Sequence, residues 1–123
     1  VVDNFEIYKV ELNLPNLIVT PQGSTLHFLY SNVQTESNNL LRLFQSPEIK
    51  NVIIDLSKVD YLDSIIINSI IRLLQHARQT GGHSVFCNAC DNMQNILQSI
   101  KLGTLWPLLD SQEEAIHYIS MNS

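Results

Sequence analysis

The sequence has few cysteines, few basic residues and no long apolar run, and each shortage narrows what the chain can be. Two cysteines, Cys87 and Cys90, are too few for a secreted disulfide framework, which fits a reducing compartment. The seven Lys and Arg are scattered singly with no basic patch, which argues against nucleic acid as a main ligand. Twelve acids against those seven bases leave a net charge of −5. The longest apolar stretch, Ile65 to Leu74, is interrupted by Asn68, Ser69 and Arg72. It also falls well short of the roughly 20 residues a bilayer span requires, so no direct membrane insertion is expected. No secretory leader pattern is visible; the chain opens at Val1, which leaves room for processing, and the simplest setting is cytoplasmic. Also missing are the G-x-x-x-x-G-K-S/T and G-x-G-x-x-G phosphate loops and the G-x-S-x-G nucleophile elbow.

What remains suits a small core-forming protein. At 123 residues, 45% hydrophobic and 15% charged, the chain is expected to make one domain over residues 1–123. Tyr8, Val10 and Leu12 alternate with Lys9 and Glu11 as in a half-buried strand, and a Pro15-Asn16 turn leads to a second strand, Leu17 to Thr20. Leu26 to Tyr30 is apolar enough for the core, as strand or loop. The period then becomes helical through Val33, Ser37, Leu40, Leu41 and Phe44, with Ser31 or Asn32 as N-cap and Pro47 as stop.

Asn51 to Leu56 is a nearly continuous apolar run, as expected of a central strand. A helix from Ser64 to Thr80 should bury Ile66, Ile70, Leu73, Leu74 and Ala77, with Gly81-Gly82 closing it. Ser84 to Cys87 reads as a strand. Met93, Ile96, Leu97 and Ile100 then mark a short helix ending near Gly103. Leu105 to Leu109 reads as a last strand, placed at an edge by Pro107. Ser111 and Glu114 form a capping box before a helix through Ile119. The order β-β-α-β-α-β-α-β-α predicts an α/β fold: a small mixed sheet of four to five strands, covered mainly on one face by helices.

Cys87 and Cys90 form a C-x-x-C at a strand end, where a helix N-terminus can lower a thiol pKa and support thiol–disulfide exchange. The plainer reading makes Cys87 a small buried strand residue and Cys90 a residue near a helix start. Two thiols supply only half of a structural zinc site, and His27, His76, His83 and His117 show no ligand spacing, so neither metal nor cofactor is expected. Asp55, Asp60 and Asp63 lie near the end of the central strand, as in a phosphoryl-accepting receiver, but the early acidic pair and late lysine of that architecture are missing. Asp63 and Ser64, directly before the Ile-rich helix, suit an ordinary N-cap.

The ordered run N-V-I-I-D-L-S-K-V-D-Y-L-D-S, a helix, then G-G-H-S-V-F-C-N-A resembles the STAS domain, the fold of bacterial anti-sigma-factor antagonists. The later M-Q-N-I-L-Q-S-I-K-L-G-T-L-W-P-L-L-D-S-Q-E-E-A-I is similar to that family's third helix, last strand and final helix. The resemblance covers Asn51 to Ile119; over the first fifty residues it is topological, with Leu26 to Asn32 as the entry to the first helix. It implies a non-enzymatic binding module for partner switching, whose partner is an anti-sigma factor that is itself a serine kinase. Ser64 would then be the phospho-acceptor, and Asp63, Ser64, Ile65, Ile66 and Ile67 the partner-binding surface. A phosphate there is expected to find free helix N–H groups, yet to be repelled beside Asp63 and costly against an apolar partner. The family's Ser/Thr-Gly is replaced by Ile65 and Ile66, and an isoleucine facing outward would make an apolar docking knob. The same resemblance also allows a STAS subunit or regulatory domain of a membrane transport complex without a phospho-switch. No feature fixes an oligomeric state.

Overall fold

Apolar alternation and helical periodicity settle into the expected order of elements. The computed structural model describes residues 5–23, 28, 30–101 and 105–122. Strands β1 (Tyr8–Asn13) and β2 (Asn16–Pro21) form an antiparallel hairpin. Helix α1 (Tyr30–Leu43) leads to β3 (Asn51–Asp55), and α2 (Ser64–Gln79) to β4 (Ser84–Cys87). Helix α3 (Asp91–Ser99), strand β5 (Leu108–Leu109) and helix α4 (Gln112–Asn122) complete the order. The strands form one sheet in the order β1-β2-β3-β4-β5, parallel from β2 onward.

Period-two alternation divides the sheet between two helix layers. Leu17, Val19, Val52, Ile54 and Phe86 face α1, α2 and α3, joining Val33, Leu40, Ile66, Leu73, Leu74, Met93 and Leu97 in the main core. Ile18, Ile53, Val85 and Cys87 face the other way, onto Ala115 and Ile119 of α4. Three helices against one is the coverage mainly on one face that the sequence predicts. The same alternation turns Asp55, next after Ile54, toward α4. Strand β3 is buried on both faces, which explains its unbroken apolar run.

Several expected details shift. Asn16 is not in the turn, which is Leu14-Pro15; it is a buried β2 residue whose side-chain oxygen accepts from Asn51 Nδ2 at 3.0 Å. Asn51 Oδ1 in turn accepts the His83 N–H at 2.9 Å, so two buried amides tie β2, β3 and the entry to β4 together. Leu12 is exposed near the hairpin tip rather than aligned with the core. Helix α1 already includes Ser31 and Asn32, so neither is its N-cap: the Ser31 carbonyl accepts the Thr35 hydroxyl inside the helix. Of Leu26 to Tyr30, residues 26, 27 and 29 lie outside the described residues, and Tyr30 opens α1.

The last strand shrinks to Leu108–Leu109. Pro107 has no N–H for a ladder, although its carbonyl accepts the Phe86 N–H at 2.9 Å. Helix α3 ends before Ile100, which is exposed, and Gly103 lies outside the described residues. Helix α4 runs three residues past the expected Ile119, to Asn122. Its start carries the expected cap, Ser111 Oγ accepting the Glu114 N–H at 3.1 Å, while the Glu114 carboxylate reaches the Asp110 N–H. Gly81 adopts φ +91° after α2, and a Cβ on Gly82 would collide with the Lys50 carbonyl, so this exit from the helix requires the glycine pair.

Candidate functional site

The loop from Leu56 to Leu62 carries the chain from the end of β3 to the start of α2, and the polar residues of interest sit at its two ends. At the first end Asp55 is buried. Its carboxylate accepts the Ser57 N–H at 2.9 Å, Asn88 Nδ2 at 3.3 Å and Gln112 Nε2 at 2.5 Å. Burial alone would raise its pKa, but these donors outweigh burial and hold the carboxyl below its ordinary 3.8. Asn88 adopts φ +59°, a conformation asparagine tolerates better than most residues. Asp55 therefore joins β3, β4 and α4 in a satisfied polar knot, with no open coordination position of the receiver kind.

At the other end Asp63 is the N-cap of α2 in extended conformation. Its side chain accepts the Ile65 N–H at 3.1 Å and the Ile66 N–H at 3.0 Å, and its carbonyl accepts the Ile67 N–H. The ordinary cap is thus real, and it belongs to Asp63. Ser64 is the first helical residue; it is exposed, and its hydroxyl has no hydrogen-bond partner among the described residues. One expectation changes here. The helix N–H groups of Ile65 and Ile66 are not free for a phosphate, because the Asp63 carboxylate already occupies them.

The three isoleucines divide. Ile66 is completely buried and belongs to the core, so it cannot contribute to a partner surface as expected: the i, i+4 stripe with Ile70 requires it inside. Ile65 and Ile67 are half-buried against the core edge. Tyr61, three residues before Ser64, is the large exposed apolar group that the sequence reading missed, at 53% exposure. The loop is braced from α3, where Asn92 Nδ2 donates to the Asp60 carbonyl and Cys90 Sγ approaches the Val59 carbonyl at 3.9 Å.

Beneath α2 lies a second polar group that periodicity did not reveal. Tyr8, nearly fully buried, donates its hydroxyl to Ser69 Oγ at 2.8 Å. Burial first, with Glu36 and Asp63 adding their negative charges, pushes its pKa up to about 12 despite the Ser69 bond. Glu36 is buried on α1 and accepts backbone N–H groups of Glu6, Ile7 and Tyr8 at 3.0 to 3.3 Å. A glutamate inside a helix reads as a solvent residue from sequence; only the packing of α1 on β1 makes it a buried anchor. The Tyr8, Glu36 and Ser69 side chains together tie α1 and α2 to the start of the hairpin.

The cysteine pair separates. Cys87 is buried and its thiol is pushed up to about 12, by burial and then by the Asp55 charge. Cys90 is exposed at the N-cap of α3 without a side-chain cap bond. A buried thiol held that far from ionisation is the reverse of what exchange chemistry requires. Among the described residues no group of three His, Cys, Asp or Glu could hold a metal ion, and no helix is long and apolar enough to cross a membrane.

A STAS domain profile matches residues 8–115. Solved structures of similar shape include a putative anti-sigma factor antagonist from Thermotoga maritima. It shares 16% identity over 92% of this chain and 94% of its own, with a TM-score of 0.77. The phosphorylated form of the Bacillus cell fate determinant SpoIIAA aligns over 91% of this chain and 98% of its own, at 15% identity and TM-score 0.70. The murine anion transporter Slc26a9 contains a similar unit: 90% of this chain aligns with 18% of the transporter, at 14% identity and TM-score 0.66.

Proposed function

The chain belongs to the STAS domain family, and from that premise we propose that it is a non-enzymatic regulatory module that binds a protein partner through the start of α2, with Ser64 as the switch. The observation that carries this reading is the division of labour at the cap. Asp63 caps the helix through its Oδ1, while the Ser64 hydroxyl is exposed and unpartnered among the described residues. A group added there disturbs no internal bond.

The electrostatics favour release rather than unfolding. A phosphoryl group adds about −1.5 to −2 charge at neutral pH. With the first helix amides held by Asp63, it would project outward beside a carboxylate and next to Tyr61, Ile65 and Ile67. An apolar partner would then have to desolvate two adjacent anions, while the fold itself keeps its cap. The partner suited to this scheme is an anti-sigma factor with serine kinase activity, and the setting is cytoplasmic.

Phosphopeptide mass spectrometry on the protein from its own cells should find Ser64 modified, and Ser64→Asp should release the partner that wild type retains. A Ser64 that is never modified, together with a Ser64→Asp variant that binds normally, would end the switch reading.

A second reading has support from the Slc26a9 likeness: a regulatory or assembly unit of a membrane transport complex, with an inert Ser64. Co-purification separates the two, a soluble kinase favouring the first and a membrane complex the second. A thiol oxidoreductase role for Cys87 and Cys90 finds no support in the raised Cys87 pKa.

A further inference from the structure

Beside the start of α2, a groove of about 150 Å³ runs between α1 and α2. Its walls include Val33 and Ser37 from α1 and Ile65, Asn68, Ser69 and Arg72 from α2. Ser37 is only 4% exposed, yet its hydroxyl makes no hydrogen bond among the described residues. Ser69, by contrast, already accepts from Tyr8. Arg72 is exposed and has no ion-pair partner among the described residues, in a chain where acids outnumber bases twelve to seven. Asn68 and Arg72 follow Ser64 at successive four-residue steps, so they continue its face of the helix toward the groove.

We propose that this groove is a subsite for the side-chain carboxylate of a docked protein partner. The inference rests on the reading of the α2 start as a docking surface and adds the chemistry of the partner. Ser37, Asn68 and Arg72 offer O–H and N–H donors around one site, and a guanidinium pairs with a carboxylate through two parallel bonds. A single cation matches a single negative charge. Val33 and Ile65 give the methylenes of an Asp or Glu an apolar wall. The size decides between classes of occupant: small-molecule pockets run from roughly 300 to 1,000 Å³, and this groove holds a side chain rather than a metabolite.

The test uses the purified chain and a phage-displayed library of random short peptides. Selected binders should share an Asp or Glu next to an apolar residue. Arg72→Gln should weaken them by about tenfold and Ser37→Ala by less, as for a charged and a neutral hydrogen bond. Replacing the binder's acid by its amide should cost the same, and nothing further against Arg72→Gln. Binders without an acidic residue, binders indifferent to Arg72→Gln, or no binders at all would overturn the subsite. If Ser64→Asp weakens binding while Arg72→Gln does not, the subsite falls and the docking surface stands. If neither substitution matters, both readings fall.

Discussion

Asp55 and Asp63 stand at opposite ends of one loop, and the fold uses them in opposite ways. Asp55 faces inward, accepts donors from its own loop, β4 and α4, and leaves nothing for an outside group to touch. Asp63 faces the helix that follows it, satisfies two amides there, and leaves the next residue exposed. One carboxylate thus closes its end of the loop, and the other, by doing the capping itself, leaves its end open. Holding the fold and exposing a hydroxyl are therefore separable tasks, assigned to different residues.

Stability measurements can break this contrast. Asp55→Ala strands the side chains of Asn88 and Gln112 and should lower unfolding free energy by about 3 kcal/mol in urea titrations. A loss no larger than that of a surface substitution would remove Asp55 from its role as a knot.

Acid titration sharpens the same end. Because hydrogen bonds hold the folded Asp55 carboxyl below its ordinary 3.8, its contribution is fully present above that pH. The contribution is lost as pH falls from there through the folded value. Urea midpoints followed into the acid range should fall less steeply for Asp55→Asn than for wild type.

At the open end the effects shrink. Asp63→Ala removes the cap and should cost about 1 kcal/mol, with Asp63→Ser restoring most of it. Ser64→Ala and Ser64→Asp should each stay within about 0.5 kcal/mol of wild type by thermal or urea unfolding. If Ser64→Ala destabilised the chain as much as Asp63→Ala, the serine would be part of the cap after all, and the separation of tasks would fail.

Much of this arrangement can be read along the chain, for a physical reason: the elements announce themselves locally. The apolar run of β3, the stripe of α2 and the Gly81-Gly82 exit depend on periodicity and backbone conformation, which neighbours in sequence largely dictate. Misreadings fell where a distant partner decides. Asn16 resembles a turn residue until Asn51 supplies its bond from across the sheet. Ile66 is claimed by both the buried stripe of α2 and the partner surface, and packing against the sheet keeps only the first. Glu36 carries no local signal of burial, because the amides it accepts, on Glu6, Ile7 and Tyr8, lie about thirty residues away. Tyr61 was overlooked because exposure of an aromatic residue is a property of the folded surface.

Local periodicity by itself determined the order of the elements, the mixed sheet and a polar cap before α2. Those follow from the spacing of apolar side chains and from which residues can satisfy a helix end. Tertiary structure alone decided that Asp55 is buried and tied to α4, and that Ser64 is left unengaged. It also decided that a groove opens between α1 and α2. Each of these depends on groups far apart in sequence meeting in a low-dielectric interior, where a missing or present hydrogen-bond partner sets the energy.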